Sequence, residues 1–328
     1  MSPGAGSPGP AARRPGSPAP HSPGPEAQRL AGNPAPSPAP SPVPRAAAGN
    51  RARSPATATR IIAIRDGRHR PRPDHVVTEE PMEIRVGGPG LRPVPLTVTM
   101  RTPGHDFELA VGLLVAEGVV ATGADVRTVR YCDVAPGEAQ EYNVVTVSLR
   151  RPLDPSTLPR RTFGATASCG VCGTATLDDL ARRCPPVSAG PVVPASVLLG
   201  LPRALRAGQR LFDRTGGLHA AGLFRADGTL LAVREDVGRH NALDKLVGHA
   251  ALTGALPLAG HVVALSGRLG YELVQKAASA GISILVAVSA PSSLALSTAE
   301  RLGLTTVGFV RPGRANVYSH PERVDLDG

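Results

Sequence analysis

The chain has 328 residues, enough for one large domain or two small ones, and at 41% hydrophobic residues it can bury a sizeable core. It has no Trp and only 3% aromatic residues, so a base-stacking nucleic-acid surface is poorly supplied. The formal charge of +10 does not rescue a polyanion-binding role, because residues 1–60 hold seven Arg against one Glu and so carry most of that excess. Nor does any stretch reach the ~18 apolar residues of a membrane span. Arg13-Arg14 is followed by Pro-Gly-Ser-Pro rather than an apolar run, which excludes a twin-arginine export signal.

Residues 1–57 are Pro, Ala, Ser and Gly with scattered Arg, and a segment of that composition is expected to be disordered. Folded structure is expected from near Thr59. Strands are predicted over 61–64, 84–86 and 95–100, then a helix opening after Gly104 with Asp106 and Glu108 in its first turn, where they complement the dipole. Two alternating strands, 126–131 and 143–149, are joined by a polar turn at Pro136-Gly137-Glu138. Helices over 177–183 and 194–207 follow.

From Thr215 the pattern changes. A hairpin pairs 218–224 with 229–234, and Asp236 precedes a helix over 237–249. Strands at 262–265, 282–288 and 305–310 alternate with helices at 271–280 and 292–302, the last strand being read as final. Strands alternating with helices of this length predict an α/β core with a largely parallel buried sheet. The expected division is a tail (1–57), a β-rich subdomain (58–160), a cysteine loop with linking helices (161–214) and an α/β core (215–328).

Four regions carry residues suited to chemistry. Cys169-Gly170-Val171-Cys172-Gly173 is the only close pair among four cysteines, which suits a reducing compartment better than a disulfide framework. Such a pair can supply half a zinc site, a redox dithiol or a sulfane-sulfur carrier, each acting through thiolate. A zinc site lacks its other two ligands, because Cys132 and Cys184 are not spaced as a partner pair, so no metal site is expected. The zinc deaminase pattern is also missing: His219-Ala220-Ala221 lacks the Glu, and Ser168 precedes the first cysteine in place of Pro. A thioredoxin-like role is disfavoured, since that motif opens a helix after a strand.

Ser266-Gly267-Arg268-Leu269-Gly270 stands between a strand and a helix, where backbone N–H groups suit an anion, although such turns are common. Phe309, Val310, Arg311, Pro312, Gly313 and Arg314 follow the last strand; two guanidinium groups about a Pro-Gly turn suit a diphosphate, and a solvated loop is the plain alternative. In the polar run from Arg234 to Lys245, helical spacing puts Asn241 with Lys245 and His240 with Asp244.

Taken together, Cys169-Gly-Val-Cys172-Gly, Thr215-Gly-Gly-Leu-His219, the run Arg234 to Lys245, Ser289-Ala-Pro-Ser-Ser and Gly308-Phe-Val-Arg311 resemble the formate dehydrogenase accessory sulfurtransferase family of FdhD/NarQ type, over about residue 61 to the C-terminus. The resemblance implies a cytidine-deaminase-like three-layer fold with a mixed sheet, a cytoplasmic homodimer, and a sulfurtransferase. It implies that a cysteine desulfurase loads sulfane sulfur as a persulfide on Cys169, with Cys172 assisting or sharing the role. The sulfur then goes to the molybdenum of the bis-molybdopterin guanine dinucleotide cofactor (Mo-bis-MGD) before insertion into apo-formate dehydrogenase. Phe309 to Arg314 matches the family's cofactor-binding segment. A chaperone that only binds and delivers the cofactor is the alternative of another class.

Overall fold

A computed structural model describes residues 53–132, 140–158, 186–187 and 190–327. The tail to residue 52, the turn expected at 136–138, the helix expected at 177–183, and Cys169, Cys172 and Cys184 lie outside the described residues.

Strands β1 (Ala56–Arg65) and β2 (Arg68–Val77) form a hairpin, so the first element among the described residues starts at Ala56 and the first expected strand is half of a pair. Asp66 and Gly67 both take positive φ, 50° and 73°, the backbone that a two-residue type I′ turn requires. The arm is exposed over most of its length, including Ile62 and Ile64.

Strands β3 (Glu80–Gly88) and β4 (Leu91–Arg101) are followed by helix α1 (Asp106–Ala116), β5 (Val126–Tyr131) and β6 (Val144–Leu149). They build a four-stranded sheet in the order β4-β3-β6-β5, with β3 parallel to β6 and the outer pairs antiparallel. Met82, Ile84 and Val86 alternate into the core beside Val145, Val147 and Leu149, as a half-buried sheet demands.

The second half opens with β7 (Val193–Pro194), α2 (Ala195–Gly208) and α3 (Arg210–Thr215). It continues through β8 (His219–Arg225), β9 (Leu230–Asp236), α4 (Arg239–Leu252), β10 (His261–Leu265), α5 (Tyr271–Ser279) and β11 (Ile284–Ala287). Helix α6 (Ser293–Leu302), β12 (Thr305–Arg311), β13 (Arg314–Ser319) and β14 (Val324–Asp325) complete it. The six-stranded sheet has the order β13-β12-β11-β10-β8-β9, in which β10, β11 and β12 are parallel and the rest antiparallel. The strand expected to be last is therefore followed by an antiparallel partner, β13, and by β14, which pairs with β7.

On one face of this sheet Leu198, Leu201 and Leu205 of α2 pack on Ala220, Phe224, Val262, Ile284 and Val286. On the other, α4, α5 and α6 share an apolar cluster that runs through α1 to the four-stranded sheet. Helices α1 and α4 touch backbone to backbone. A Cβ on Gly112 would lie 1.8 Å from the Asp244 carbonyl oxygen, and one on Gly248 would lie 1.8 Å from that of Glu108. Only glycine fits either position, so this crossing fixes α4 against the N-terminal sheet.

A charge link reinforces the crossing. Glu108 accepts from Arg234 of β9 (Nη2 to Oε1, 2.7 Å) and lies 3.1 Å from Nδ1 of His249. Burial opposes its charged form, but hydrogen bonds from Arg234, His105 and His249 outweigh that and hold the carboxyl well below the usual range. A carboxylate with a depressed folded pKa stabilises the fold fully above its unfolded value of about 4.3, and the contribution is lost as pH falls from there toward the folded value. Glu108→Ala is expected to cost about 3 kcal/mol at neutral pH, roughly 6–12 °C in Tm for a chain of this size. In thermal melts from pH 7 down to pH 3, the gap to wild type should narrow below about pH 4. A gap independent of pH would show that the carboxylate charge is not what stabilises.

Candidate functional site

The carboxyl ends of the parallel strands form one edge of the six-stranded sheet, where α/β folds place ligands. Leu265, Ala287 and Arg311 end β10, β11 and β12 there. Because β8 and β9 run antiparallel to one another, the first residue of β8, His219, and the last of β9, Asp236, face each other at this same edge. Helices α4, α5 and α6 all begin here, just after their N-cap residues Gly238, Gly270 and Ser292.

The two loops that the sequence marks separately, 266–270 and 309–314, are joined at this edge by the segment 288–292. Val288 N–H donates to the Leu265 carbonyl (3.1 Å), Leu269 N–H to Ala290 (3.1 Å) and Ser292 N–H to Leu269 (3.0 Å). Phe309 N–H donates to Ser289 (3.3 Å), and the Arg311 guanidinium donates to the Val288 carbonyl. The Ser289-Ala-Pro-Ser-Ser stretch is thus the bridge between both anion-suited loops. Ser266 is anchored in turn to β8, its Oγ accepting from Ala220 N–H (2.8 Å).

The segment from Phe309 to Arg314 is the end of the β12–β13 hairpin rather than a plain loop after a last strand. Gly313 takes φ 75°, and Arg311 and Arg314 are directly paired across the strands, both exposed. Like charges in that position repel. Phe309, 46% exposed, holds φ 52°. An aromatic residue in the left-handed region is an outlier, and such strain concentrates where ligands are clamped.

The polar run Arg234 to Lys245 turns inward instead of lining a solvated helix. Lys245 Nζ lies 2.7 Å from Asp236 Oδ2 and donates to the Thr102 carbonyl at 2.8 Å, with both charged groups buried. Asn241 donates to Asp236 Oδ1 (3.1 Å) and to the Met100 carbonyl (2.7 Å), so it does share a face with Lys245. His240 and Asp244 share the face toward α5, reaching Glu272 (3.2 Å) and Lys276 (2.8 Å). Helix α4 begins at Arg239, two residues later than expected, because Asp236 accepts the Gly238 N–H (2.9 Å) and keeps the preceding turn extended.

His219, half-buried, ends the Thr215-Gly-Gly-Leu-His219 motif and had no chemical role assigned to it from the sequence. Here it stands beside Gly267 and Arg239: a Cβ on Gly267 would lie 3.2 Å from His219 Nδ1 and 3.7 Å from Arg239 Cδ. Burial, then the positive charges of Arg239 and Arg268, push its pKa below the ordinary value, with Asp236 opposing. The signal for this cluster is spread over three elements, so no local pattern reveals it. Cys132, outside the edge, is half-buried near Arg85 Nη1 (3.6 Å). Among the described residues, no group of three His, Cys, Asp or Glu side chains is placed to hold a metal ion, and no helix is long and apolar enough to cross a membrane.

Fold and site together define a mixed α/β protein with a basic edge built where three helices begin. Its lineage is specific: the chain belongs to the FdhD/NarQ family, whose model matches residues 77–325. It is 49% identical over 270 residues to the sulfur carrier protein FdhD of Mycolicibacterium paratuberculosis, covering 81% of this chain and 97% of that protein. With the sulfur carrier protein FdhD of Streptomyces coelicolor it shares 51% over 272 residues, 81% and 95% of the two chains. A crystal structure from Desulfotalea psychrophila, described as a formate dehydrogenase accessory protein, matches with a TM-score of 0.62 at 26% identity, over 82% of this chain and 99% of that one.

Proposed function

We propose that this protein is a sulfur carrier that accepts sulfane sulfur from a cysteine desulfurase as a persulfide on Cys169. It passes that sulfur to the molybdenum of Mo-bis-MGD before the cofactor enters formate dehydrogenase. The observation that carries this reading is a Cys169-Gly-Val-Cys172 pair in a chain about half identical, over 81% of its length, to proteins named sulfur carriers. The transfer step balances without an outside oxidant. The Cys172 thiolate attacks Cys169 Sγ, the persulfide S–S bond breaks, a Cys169–Cys172 disulfide forms, and the terminal sulfur leaves as sulfide. An external thiol reductant then restores the dithiol by thiol–disulfide exchange, supplying the two electrons and leaving as its own disulfide.

In this reading the guanine dinucleotide part of the cofactor meets Phe309 to Arg314, its phosphates taking the opposed Arg311 and Arg314 and its ring covered by Phe309. The protein acts in the cytoplasm, as a homodimer, with a desulfurase as donor and apo-formate dehydrogenase as receiver. The six-stranded unit is read as cytidine-deaminase-like; the order β9-β8-β10-β11-β12 with α2 on one face and α4, α5 and α6 on the other supports this.

Intact mass after incubation with a desulfurase and cysteine tests the carrier step. The expected result is a gain of one sulfur atom, removed by dithiothreitol. Loading that persists in the Cys169→Ala, Cys172→Ala double variant would overturn it.

A further inference from the structure

We infer that the β1–β2 hairpin is a docking arm for another protein, and that the free edge of β1 takes an extended segment in which acidic and apolar residues alternate. The inference goes beyond the sulfur-carrier reading and does not rest on it.

The pairing register decides which edge of the arm is open. Thr78 N–H donates to the Pro55 carbonyl (3.0 Å), and these two residues continue the pairing that runs from Ala56 and Val77 to Arg65 and Arg68. Bonded and non-bonded pairs alternate in an antiparallel ladder, so the odd-numbered residues of β1 bond to β2 and the even-numbered ones turn N–H and C=O outward. On β2 the outward positions include Pro71 and Pro73, the partners of Ile62 and Arg60. Proline has no N–H to offer there, so the β2 edge resists strand addition, a common protection of exposed edges. The β1 edge has no such guard. Ala58, Arg60, Ile62 and Ile64 face outward there and are all exposed, and the arm has no third strand among the described residues.

Side chains set the chemistry of the occupant. Cross-strand partners share a face, so Ile61, Ala63, Arg65, Arg68, Arg70 and Arg72 lie on one side of the arm. Arg65 and Arg68 are directly opposite, an arrangement of like charges that costs stability. Among the described residues, the one carboxylate bonded to these four arginines is Asp74, 3.4 Å from Arg72. The small Ala63 lines a concavity at the tip of the arm together with Arg65, Arg68 and Arg70. An acidic side chain on a strand added beside Ala63 therefore meets guanidinium groups. Its neighbours in sequence point the other way and meet Ile62 and Ile64, 67% and 75% exposed. Main-chain bonds to β1 give affinity, and the alternation gives specificity. RNA is the poorer match, because residues 56–77 hold no Phe, Tyr or Trp on which a base stacks. A second copy of the arm is poorer too, since it sets another basic face beside the first.

Fluorescence anisotropy of the full chain with two labelled, blocked peptides tests this, one alternating Val with Glu and the other Val with Lys. The Val-Glu peptide should bind, less tightly as salt is added, and the Val-Lys peptide should not. Ile62→Pro removes an outward N–H without touching the β1–β2 ladder, and should abolish binding. An exposed ion pair is worth at most about fivefold in affinity, so Arg70→Glu alone should weaken binding by about that much. Arg65→Glu, Arg68→Glu and Arg70→Glu together should weaken it roughly tenfold or more. Thermal melts of all variants should match wild type, because the substituted side chains are exposed. No binding of the Val-Glu peptide, equal binding of both peptides, or binding that survives Ile62→Pro would overturn the inference. A wild-type dimer that Ile62→Pro converts to monomer in sedimentation would assign the edge to a second copy. Arg70-dependent binding of poly(U) in place of the peptide would assign the arm to RNA. Either of these also overturns it.

Discussion

Cys169→Ala is expected to leave formate dehydrogenase inactive, down to the level of a strain lacking the carrier altogether. The loss should be near total where Cys169 alone holds the persulfide, because alanine offers no sulfur; a residual activity would show that Cys172, three residues on, shares the role. Cys172→Ala should behave differently. Loading on Cys169 survives, but release then needs an outside thiol to attack Cys169, so turnover slows instead of vanishing. Formate-dependent dye reduction in complemented cells, with persulfide mass measured on the same variants, separates these outcomes. Circular dichroism distinguishes lost chemistry from lost fold. Wild-type activation by Cys169→Ala would favour a chaperone that binds and delivers the cofactor without carrying sulfur.

The parallel core was legible in the chain because its signals are local. The strands His261–Leu265 and Ile284–Ala287 are short apolar runs, and the helix that follows each stops near a glycine with positive φ, Gly281 and Gly303. Strand β2 was not legible: Arg68-His-Arg-Pro-Arg-Pro-Asp-His has no apolar alternation, since it faces solvent on both sides. Strand β13 was hidden behind Pro312-Gly313, which reads equally as a loop or a hairpin turn.

At the site, the loops 266–270 and 309–314 were visible as anion-suited segments, but their union was not. It is made by backbone bonds through Ser289 and Ala290, and a backbone bond leaves no mark in residue type. The charged run on α4 shows the same limit. Its i,i+4 spacing gave the correct pairs, but spacing cannot say whether a face points to water or to the core. Thr102, which decides that for Lys245, lies 143 residues away.

That buried pair predicts the largest stability effect. Asp236 accepts four hydrogen bonds or ion-pair contacts: Gly238 N–H at 2.9 Å, Asn241 Nδ2 at 3.1 Å, Thr102 N–H at 3.1 Å and Lys245 Nζ at 2.7 Å. Asp236→Ala would leave the Lys245 ammonium, 1% exposed, without its counter-charge and strip the buried Thr102 N–H. Breaking one side of a buried pair costs about 3–5 kcal/mol, a large part of the ~5–15 kcal/mol that holds a typical domain. For a chain of this size that is roughly 6–20 °C in Tm. Adding Lys245→Met to Asp236→Ala should restore part of the loss, because the unpaired charge goes with it, and a double-mutant cycle in urea measures the coupling. If Asp236→Ala costs under about 1 kcal/mol, or Lys245→Met restores nothing, the pair is not what holds α4 in place. With the pair intact, Asp236 sets the turn that launches α4 and so fixes Arg239 at the head of the helix.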